Sequence, residues 1–172
     1  MKTCEYLCSI FLWFLIFLNC STKPSELEIV KLYPVDNLDG IISLSKVSID
    51  SVERQEGYGS LKIVTSEPQV VNLFETGDIE VENARLIYQA KLRTRGVQGV
   101  VFLEMWCHFP GQGEFFSRGL QTQLSGDNEW NSQETLFFLR KGENPDNVKL
   151  NVVINGIGMV WIDDIRLLKA PR

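Results

Sequence analysis

The chain has 172 residues, of which 44% are hydrophobic and 23% are charged, and its formal net charge is −5. This length and composition fit one globular domain together with a short processing segment. Because the phosphates of nucleic acids require a basic protein face, the negative charge argues against a nucleic-acid partner. A neutral ligand or a protein partner suits such a chain better.

The N-terminal segment has the features of an export signal. Lys2 precedes an apolar run from Ile10 to Leu18, which has about the length of a signal-peptide hydrophobic region and is too short to span a bilayer as a helix. We therefore predict a signal peptide over 1–19, a polar tether over 20–26 and one domain over 27–170. The predicted location is the cell envelope.

Cys20 follows the apolar run directly and precedes the polar segment STKPSE. This arrangement resembles the junction of a bacterial lipoprotein, in which the cysteine becomes the lipidated first residue. Asn19 and Phe17 depart from the small residue and the leucine of that pattern. The resemblance implies lipidation of Cys20, which would hold the domain at a membrane surface by acyl burial. Ordinary signal cleavage and a retained, uncleaved anchor are the alternatives.

The cysteines support export without a disulfide framework. Cys4 and Cys8 lie in the predicted signal and Cys20 at its border, so the mature domain keeps only Cys107. The only histidine is the adjacent His108, and neighbouring residues of a strand point to opposite faces. We therefore interpret Cys107 as a buried structural thiol and not as a nucleophile.

The rest of the chain predicts strands separated by polar or glycine-bearing turns. In chain order these are 27–33, two short strands within 41–52, then 60–66, 70–75, 85–95, 100–109, a weak strand over 117–126, and 130–140, 149–156 and 160–167. No convincing amphipathic helix is present. Counted without the weak segment 117–126, about nine or ten strands at spacings of 8 to 14 residues predict an antiparallel sandwich.

The two longest strand signals, 85–95 and 100–109, alternate with a period of two residues. In the second, the side chains of one face are Val101, Leu103, Met105 and Cys107, and those of the other are Phe102, Glu104, Trp106 and His108. One set is predicted to lie in the core, and the other to be partly exposed.

Several segments together resemble the galactose-binding-like jelly roll, the fold of many carbohydrate-binding modules of secreted glycoside hydrolases. They are EGYGSLKIV, a strand with LRTR, a strand with LEMW, a Trp after GDNE, and the ending NGIGMVWIDDIRL. The likeness covers about 27–168. It implies an all-β fold, an antiparallel β-sandwich of jelly-roll topology. A fold hosts many functions, so the ligand needs separate arguments.

The resemblance also implies a structural calcium ion, because several such modules tie an early loop to the final strand in this way. Here Asp164 would be the side-chain ligand, and Glu56 the best candidate from the loop 53–59. Calcium takes six to eight oxygen ligands, which such a loop beside an acidic strand end can supply. The alternative is that Asp163 and Asp164 cap edge amides or face water.

The same resemblance implies a ligand on a sheet face or at the loops of one end. If the core assignment holds, one face presents Arg93, Glu104, Trp106 and His108, with Trp161 and Asp163 nearby. An aromatic ring between Arg and Glu suits a sugar, because the ring stacks on the pyranose while charged groups bind the hydroxyls. The alternative places Trp106 in the core and makes the charged groups a rim ion pair.

Catalysis finds no support in the sequence. There is no Ser or Cys nucleophile motif, no HExxH and no phosphate loop, and a single histidine removes most zinc sites. The leading hypothesis is an exported, lipid-anchored, non-catalytic domain that binds a carbohydrate or glycan. The alternative is a structural or protein-interaction envelope lipoprotein that docks through the same face or through Phe115 and Phe116.

Overall fold

The strands of the fold pair in antiparallel fashion throughout. The computed structural model describes residues 26–172, so the predicted signal peptide, Cys20 and the tether up to residue 25 lie outside the described residues. The strands are β1 (Glu28–Tyr33), β2 (Val47–Asp50), β3 (Ser60–Thr65), β4 (Gln69–Thr76), β5 (Ala84–Phe109), β6 (Gly113–Arg118), β7 (Leu124–Phe138) and β8 (Asn147–Pro171). Within this part of the chain no helix is long and apolar enough to cross a membrane.

Two very long strands, β5 and β8, form the centre of the molecule. The sheet order is β2-β3-β8-β5-β6, with β1 and β4 also paired to β8, and β7 to β5. The first part of β5 pairs with the last part of β8, beside β3, β1 and β7. The second part of β5 pairs with the first part of β8, beside β4 and β6. The β5–β8 ribbon therefore belongs to two layers.

Glycines allow this ribbon to bend where the sequence predicted turns. Gly99 and Gly156 are cross-strand partners with φ of 117° and 154°. A Cβ at Gly156 would lie 1.9 Å from the carbonyl oxygen of Gln98, so no side chain fits there. The chain therefore continues through each bend as one long strand, β5 or β8. Residues 26–172 form eight strands in place of the nine or ten that were predicted.

The main hydrophobic core lies between the two layers, and both halves of the long strands contribute to it, while Ile87, Leu168 and Ala170 form a small second cluster. The fully buried members of the main core include Leu61, Ile63, Leu86, Leu92, Leu103, Met105, Leu150, Val152, Val160 and Ile162. Burial of each such side chain contributes about 1.5–3 kcal/mol relative to exposure. The all-β, antiparallel sandwich prediction is confirmed.

Cys107 lies in this core as a free, fully buried cysteine. Burial raises the pKa of its thiol to about 12. A thiol that stays protonated at neutral pH is a weak nucleophile. Its place in the core agrees with the interpretation of Cys107 as a structural residue.

Candidate functional site

The outward side of the layer β4–β8–β5–β6 presents two rows of side chains, which we call the front face. In each row, successive residues are partners on neighbouring strands. The first row is Asn72, Asn151, Glu104 and Arg118, and the second is Glu75, Lys149, Trp106 and Phe116. Directly opposed residues on one face have Cβ atoms about 4.5–5.5 Å apart, so each row brings its polar groups into contact.

Glu104 is the centre of the front face and is only 3% exposed. Its carboxylate accepts hydrogen bonds from Trp106 Nε1 at 2.7 Å, Arg118 Nε at 2.6 Å and Asn151 Nδ2 at 3.1 Å. Burial opposes ionisation of Glu104, but these donors outweigh it and hold the pKa below its ordinary value. One ionised carboxylate therefore fixes three side chains of the front face.

The aromatic part of the front face consists of Trp106 and Phe116. Their ring centroids are 5.0 Å apart, with the planes tilted by 45°. The Arg118 guanidinium lies 4.4 Å from the centroid of Phe116, which is 50% exposed. Trp106 is half-buried. Its indole N–H donates to Glu104, and the residue also lines an open recess.

The recess over the front face measures about 420 Å³. Its lining comprises Val70, Asn72, Glu104, Trp106, Glu114, Arg118, Lys149, Asn151 and Val153. Lys149 pairs with Glu114 at 2.6 Å, and Glu75 accepts a hydrogen bond from Asn72 Nδ2 at 2.6 Å. The ion pair with Glu114 raises the pKa of Lys149. Apolar, aromatic and hydrogen-bonding groups thus share one groove.

Two acceptors beneath this recess have no donor. The side-chain oxygens of Asn151 and Asn72 are closed off from solvent and accept no hydrogen bond within the described part of the chain. Asn151 as a whole is 6% exposed. Buried polar groups normally have a partner, so each unpaired oxygen calls for an explanation.

Trp161 and Arg93 belong to a different group on the other layer, which we call the back cluster (Asp50, Glu53, Lys62, Arg93 and Trp161). Trp161 is 6% exposed, and its Nε1 donates to Asp50 Oδ2 at 2.9 Å. The Lys62 ammonium lies 5.0 Å and the Arg93 guanidinium 6.0 Å from the centroid of the indole. Arg93 also pairs with Glu53 at 2.6 Å.

The back cluster lowers the pKa of Asp50 to about 2, first through the hydrogen bond from Trp161 and then through backbone donors. The indole of Trp161 is covered by Lys62 and Arg93, so a ligand cannot stack on it. The structure therefore does not bring the five predicted ligand residues into one site. Arg93 and Trp161 are separated from Glu104 and Trp106 because β5 and β8 bend at their glycines and change layers between them.

His108 lies on the same side of β5 as Glu104 and Trp106, one row beyond them, opposite Asn147 and Glu114. Its Nδ1 contacts Asp146 Oδ1, and the side chain is 39% exposed. His108 is thus at the rim of the front face. The sequence did not predict four other members of the front face, and these come from three other strands. They are Asn72, Asn151, Arg118 and Phe116, and only the strand pairing brings them together.

The predicted calcium ligands lie where the loop before β3 meets β8. Asp163 Oδ2 accepts from the amides of Gln55 at 2.7 Å and Glu56 at 3.0 Å, and its Oδ1 accepts from the Asp164 amide. Asp164 pairs with Arg166, whose guanidinium also lies 3.5 Å from Glu56. The loop 53–59 and strand β8 are in contact, as expected. These contacts are hydrogen bonds from backbone amides to Asp163 and the ion pair of Glu56 with Arg166.

These side chains, as arranged, do not fit a calcium site. Both carboxylates proposed as ligands, Asp164 and Glu56, contact the positive charge of Arg166, and Asp163 uses its two oxygens on amides. Residues 26–172 contain no group of three or more His, Cys, Asp or Glu side chains placed to hold a metal ion. The structural calcium ion stays a prediction.

Comparison with known proteins gives the fold. No protein-family model matches the chain, and no curated protein is similar to it in sequence. Among solved structures, the CBM22-1 xylan-binding domain of Paenibacillus barcinonensis Xyn10C is similar, with a TM-score of 0.58 and 10% identity. That match covers 87% of this chain and 99% of the other.

Two further structures have the same fold. A family 16 carbohydrate-binding module has a TM-score of 0.55 and 12% identity over 76% of this chain and 91% of its own. The CBM22-1 and GH10 modules of Clostridium thermocellum xylanase 10B, complexed with xylohexaose, have a TM-score of 0.60 and 12% identity over 81% of this chain and 28% of theirs. The class of protein is therefore a β-sandwich of the type found in carbohydrate-binding modules.

Proposed function

We propose that this chain is an exported, lipid-anchored and non-catalytic domain that binds a carbohydrate on its front face. The observation on which this rests is the arrangement around Glu104, which fixes Trp106, Arg118 and Asn151 along one open recess. Sites for small ligands combine apolar and aromatic surface with a few well-placed polar groups, and the front face has this composition.

The chemistry of the face suits a sugar. An indole offers a flat apolar surface to the C–H face of a pyranose, and the partly exposed Phe116 ring packs beside it. Asn, Lys and carboxylate groups in the neighbouring row and at the rim reach the hydroxyls around the ring. Because Glu104 holds the indole N–H, the Trp106 ring keeps one orientation before the ligand arrives, which lowers the entropic cost of binding.

The similar folds support the same assignment. All three structures above are named as containing a carbohydrate-binding module, and one of them was complexed with xylohexaose. Xylan is therefore the first polysaccharide to test. At 10–12% identity these likenesses extend to the fold, so the choice of ligand depends on the front face itself.

The test is binding of the purified domain to soluble xylan, mixed-linkage β-glucan and glucomannan, measured by affinity electrophoresis and calorimetry. Trp106→Ala is expected to weaken binding at least tenfold, because aromatic stacking is worth about 0.5–1.5 kcal/mol beyond the area that it buries. Trp130→Ala is the matched control, because Trp130 lies on β7 of the other layer.

The outcomes separate cleanly. Loss of binding in Trp106→Ala with retention in Trp130→Ala supports the front face as the site. Equal loss in both variants, or binding that neither variant changes, places the ligand elsewhere. No binding of any of the three polysaccharides by the wild type overturns the proposal.

Export and anchoring are tested separately, because Cys20 lies outside the described residues. Cells that express the full chain are labelled with an alkyne-bearing fatty acid, and the protein is fractionated with membranes. Incorporation of label in the wild type and its loss in Cys20→Ser supports lipidation. Label that persists in Cys20→Ser would show that the anchor is attached elsewhere.

The second candidate function is docking to another protein of the envelope or of a host. Phe115 and Phe116, on β6, are 47% and 50% exposed, which is the observation in its favour. Aromatic residues of this kind are enriched in protein interfaces. A Phe115→Ser variant with unchanged glycan binding and lost protein capture would support this second function.

A further inference from the structure

Each donor side chain of the front face gives at least one hydrogen bond to a nearby carboxylate. Trp106 Nε1 and Asn151 Nδ2 donate to Glu104, and Asn72 Nδ2 donates to Glu75. The Lys149 ammonium donates to Glu114. Within the described residues, two buried acceptors of the recess have no hydrogen-bond partner, the side-chain oxygens of Asn72 and Asn151.

The carboxylates also fix which way these two amides point. The nitrogen of Asn151 faces Glu104 at 3.1 Å and that of Asn72 faces Glu75 at 2.6 Å. A flipped amide would turn its oxygen towards a carboxylate oxygen and exchange a hydrogen bond for a repulsion. The acceptor therefore remains on the free side of each amide.

Asn72 and Asn151 are direct partners on the neighbouring strands β4 and β8. Their Cβ atoms are therefore about 4.5–5.5 Å apart. Both residues line the recess. Two acceptors side by side suit neighbouring hydroxyl groups of a sugar, each of which can donate one hydrogen bond.

The recess has no surplus of positive charge that would attract an acidic ligand. Its two cations, Arg118 and Lys149, are each held by a carboxylate at 2.6 Å. The lining of the recess also contains two carboxylates, Glu104 and Glu114, so these charges balance, and Glu75 lies beside Lys149. A uronate or sulfate group would have to compete with these carboxylates for Arg118 and Lys149, which a neutral sugar does not need to do.

We infer that the front face selects a neutral glycan with free hydroxyl groups, which donate to the side-chain oxygens of Asn72 and Asn151. This inference depends on the proposed carbohydrate function and specifies its ligand class. Both oxygens are covered in the unliganded chain. Arg118 and Lys149 have long side chains that line the same recess. These side chains move aside when a sugar hydroxyl reaches the two oxygens.

The first part of the experiment keeps the wild-type protein and varies the ligand. Wild-type domain is titrated calorimetrically with xylohexaose, cellohexaose and mannohexaose, each native and O-methylated, and with hexagalacturonate. O-methylation removes the hydroxyl donor but keeps the ring and its oxygen. At least one native neutral hexaose is expected to bind, its methylated form at least tenfold more weakly, and hexagalacturonate not at all.

The protein arm uses Asn72→Ala, because Asn72 is half-buried at the recess, and Asn131→Ala on the exposed side of β7 as control. Asn72→Ala is expected to weaken the native hexaose about tenfold and to leave the weak binding of its methylated form unchanged. Asn131→Ala is expected to bind as the wild type does.

Four outcomes overturn the inference. Equal binding of native and methylated hexaoses, or tighter binding of hexagalacturonate, contradicts it while leaving the carbohydrate function standing. The same holds if Asn72→Ala weakens both forms equally, since the acceptor would then play no part in reading hydroxyls. If none of the probes binds, the proposed function fails together with the inference.

Discussion

The front face and the back cluster each contain one tryptophan whose indole N–H donates to a carboxylate. Trp106 donates to Glu104 at 2.7 Å and Trp161 to Asp50 at 2.9 Å. On the back cluster, Lys62 and Arg93 lie over the indole, and the residue is 6% exposed. On the front face the arginine covers Phe116 instead.

The difference shows that residue type does not decide whether an aromatic side chain binds or stabilises. Cations over Trp161 give favourable contacts with its ring and close it to any ligand. Trp106 has the same kind of carboxylate partner but keeps a bordering recess. We therefore expect the two tryptophans to differ in what their removal costs, and the predictions below test that difference.

The largest effect on stability is expected from Trp161→Ala. Removal of a buried aromatic side chain costs about 3–5 kcal/mol, so the free energy of unfolding should fall by that amount. The measurement is urea denaturation followed by circular dichroism. Trp106→Ala serves as the comparison and should lose clearly less stability, because Trp106 is only half-buried. Equal losses would mean that both tryptophans are structural.

The second effect concerns Glu104, whose replacement by Ala leaves three donors without their acceptor. The expected loss is about 2–3 kcal/mol, because the unpaired donors are costly but Arg118 is 42% exposed and can turn to water. Binding of the glycan should fall as well, since Trp106 and Asn151 lose their fixed orientation.

Glu114→Gln is the matched control for Glu104. It removes a carboxylate from the same face, but Glu114 is 39% exposed, and such surface pairs contribute about 0–1 kcal/mol. Urea denaturation and near-ultraviolet circular dichroism of the two variants provide the comparison. A Glu104→Ala protein as stable as Glu114→Gln would contradict the central role of Glu104.

A smaller, pH-dependent effect is expected from Asp50. Its pKa in the folded protein is about 2, below the ordinary value of 3.8, so its ionised form is stabilised by folding. That stability is present above about pH 4 and is lost as the pH falls towards 2. Allowing for partial solvent screening, we expect about 1–2 kcal/mol.

The measurement is urea denaturation of the wild type and of Asp50→Asn between pH 2 and pH 7. At pH 7 the variant should be the less stable, and the gap should close towards pH 2. Lys62→Ala leaves Asp50 and the Trp161 hydrogen bond in place, so it should keep the steep acid dependence. A gap that stays constant with pH would assign the effect to something other than the charge of Asp50.

Alternation along single strands predicted a good part of this molecule. In 100–109, Leu103, Met105 and Cys107 lie in the core as expected, and Trp106 is partly exposed on the opposite face, but Glu104 on that face is buried. These assignments depend on local period alone. The all-β sandwich followed from the spacing of such segments.

The partners within each layer could not be predicted, because they depend on strand pairing and on the glycine bends. Arg93 and Glu104 are eleven residues apart on one strand, yet they belong to different layers. Asn72 and Arg118 meet Glu104 in one row only through β4–β8–β5–β6 pairing. No single-strand pattern contains that information. The corner around Asp164 differs, because the positive charge beside this carboxylate is Arg166 of the same strand.

The last prediction concerns the corner around Asp164, where we expect calcium to leave the melting midpoint unchanged. With Arg166 between Asp164 and Glu56, a positive charge is already present, and binding of Ca²⁺ would have to displace it. A ligand that binds only the folded state must raise the midpoint of unfolding. We therefore expect the same melting midpoint in EDTA and in millimolar CaCl₂. Arg166→Gln frees both carboxylates and provides the contrast, since any calcium response should appear first in that variant. A higher midpoint of the wild type in calcium, abolished by Asp164→Asn, would instead establish the structural ion that the resemblance implies.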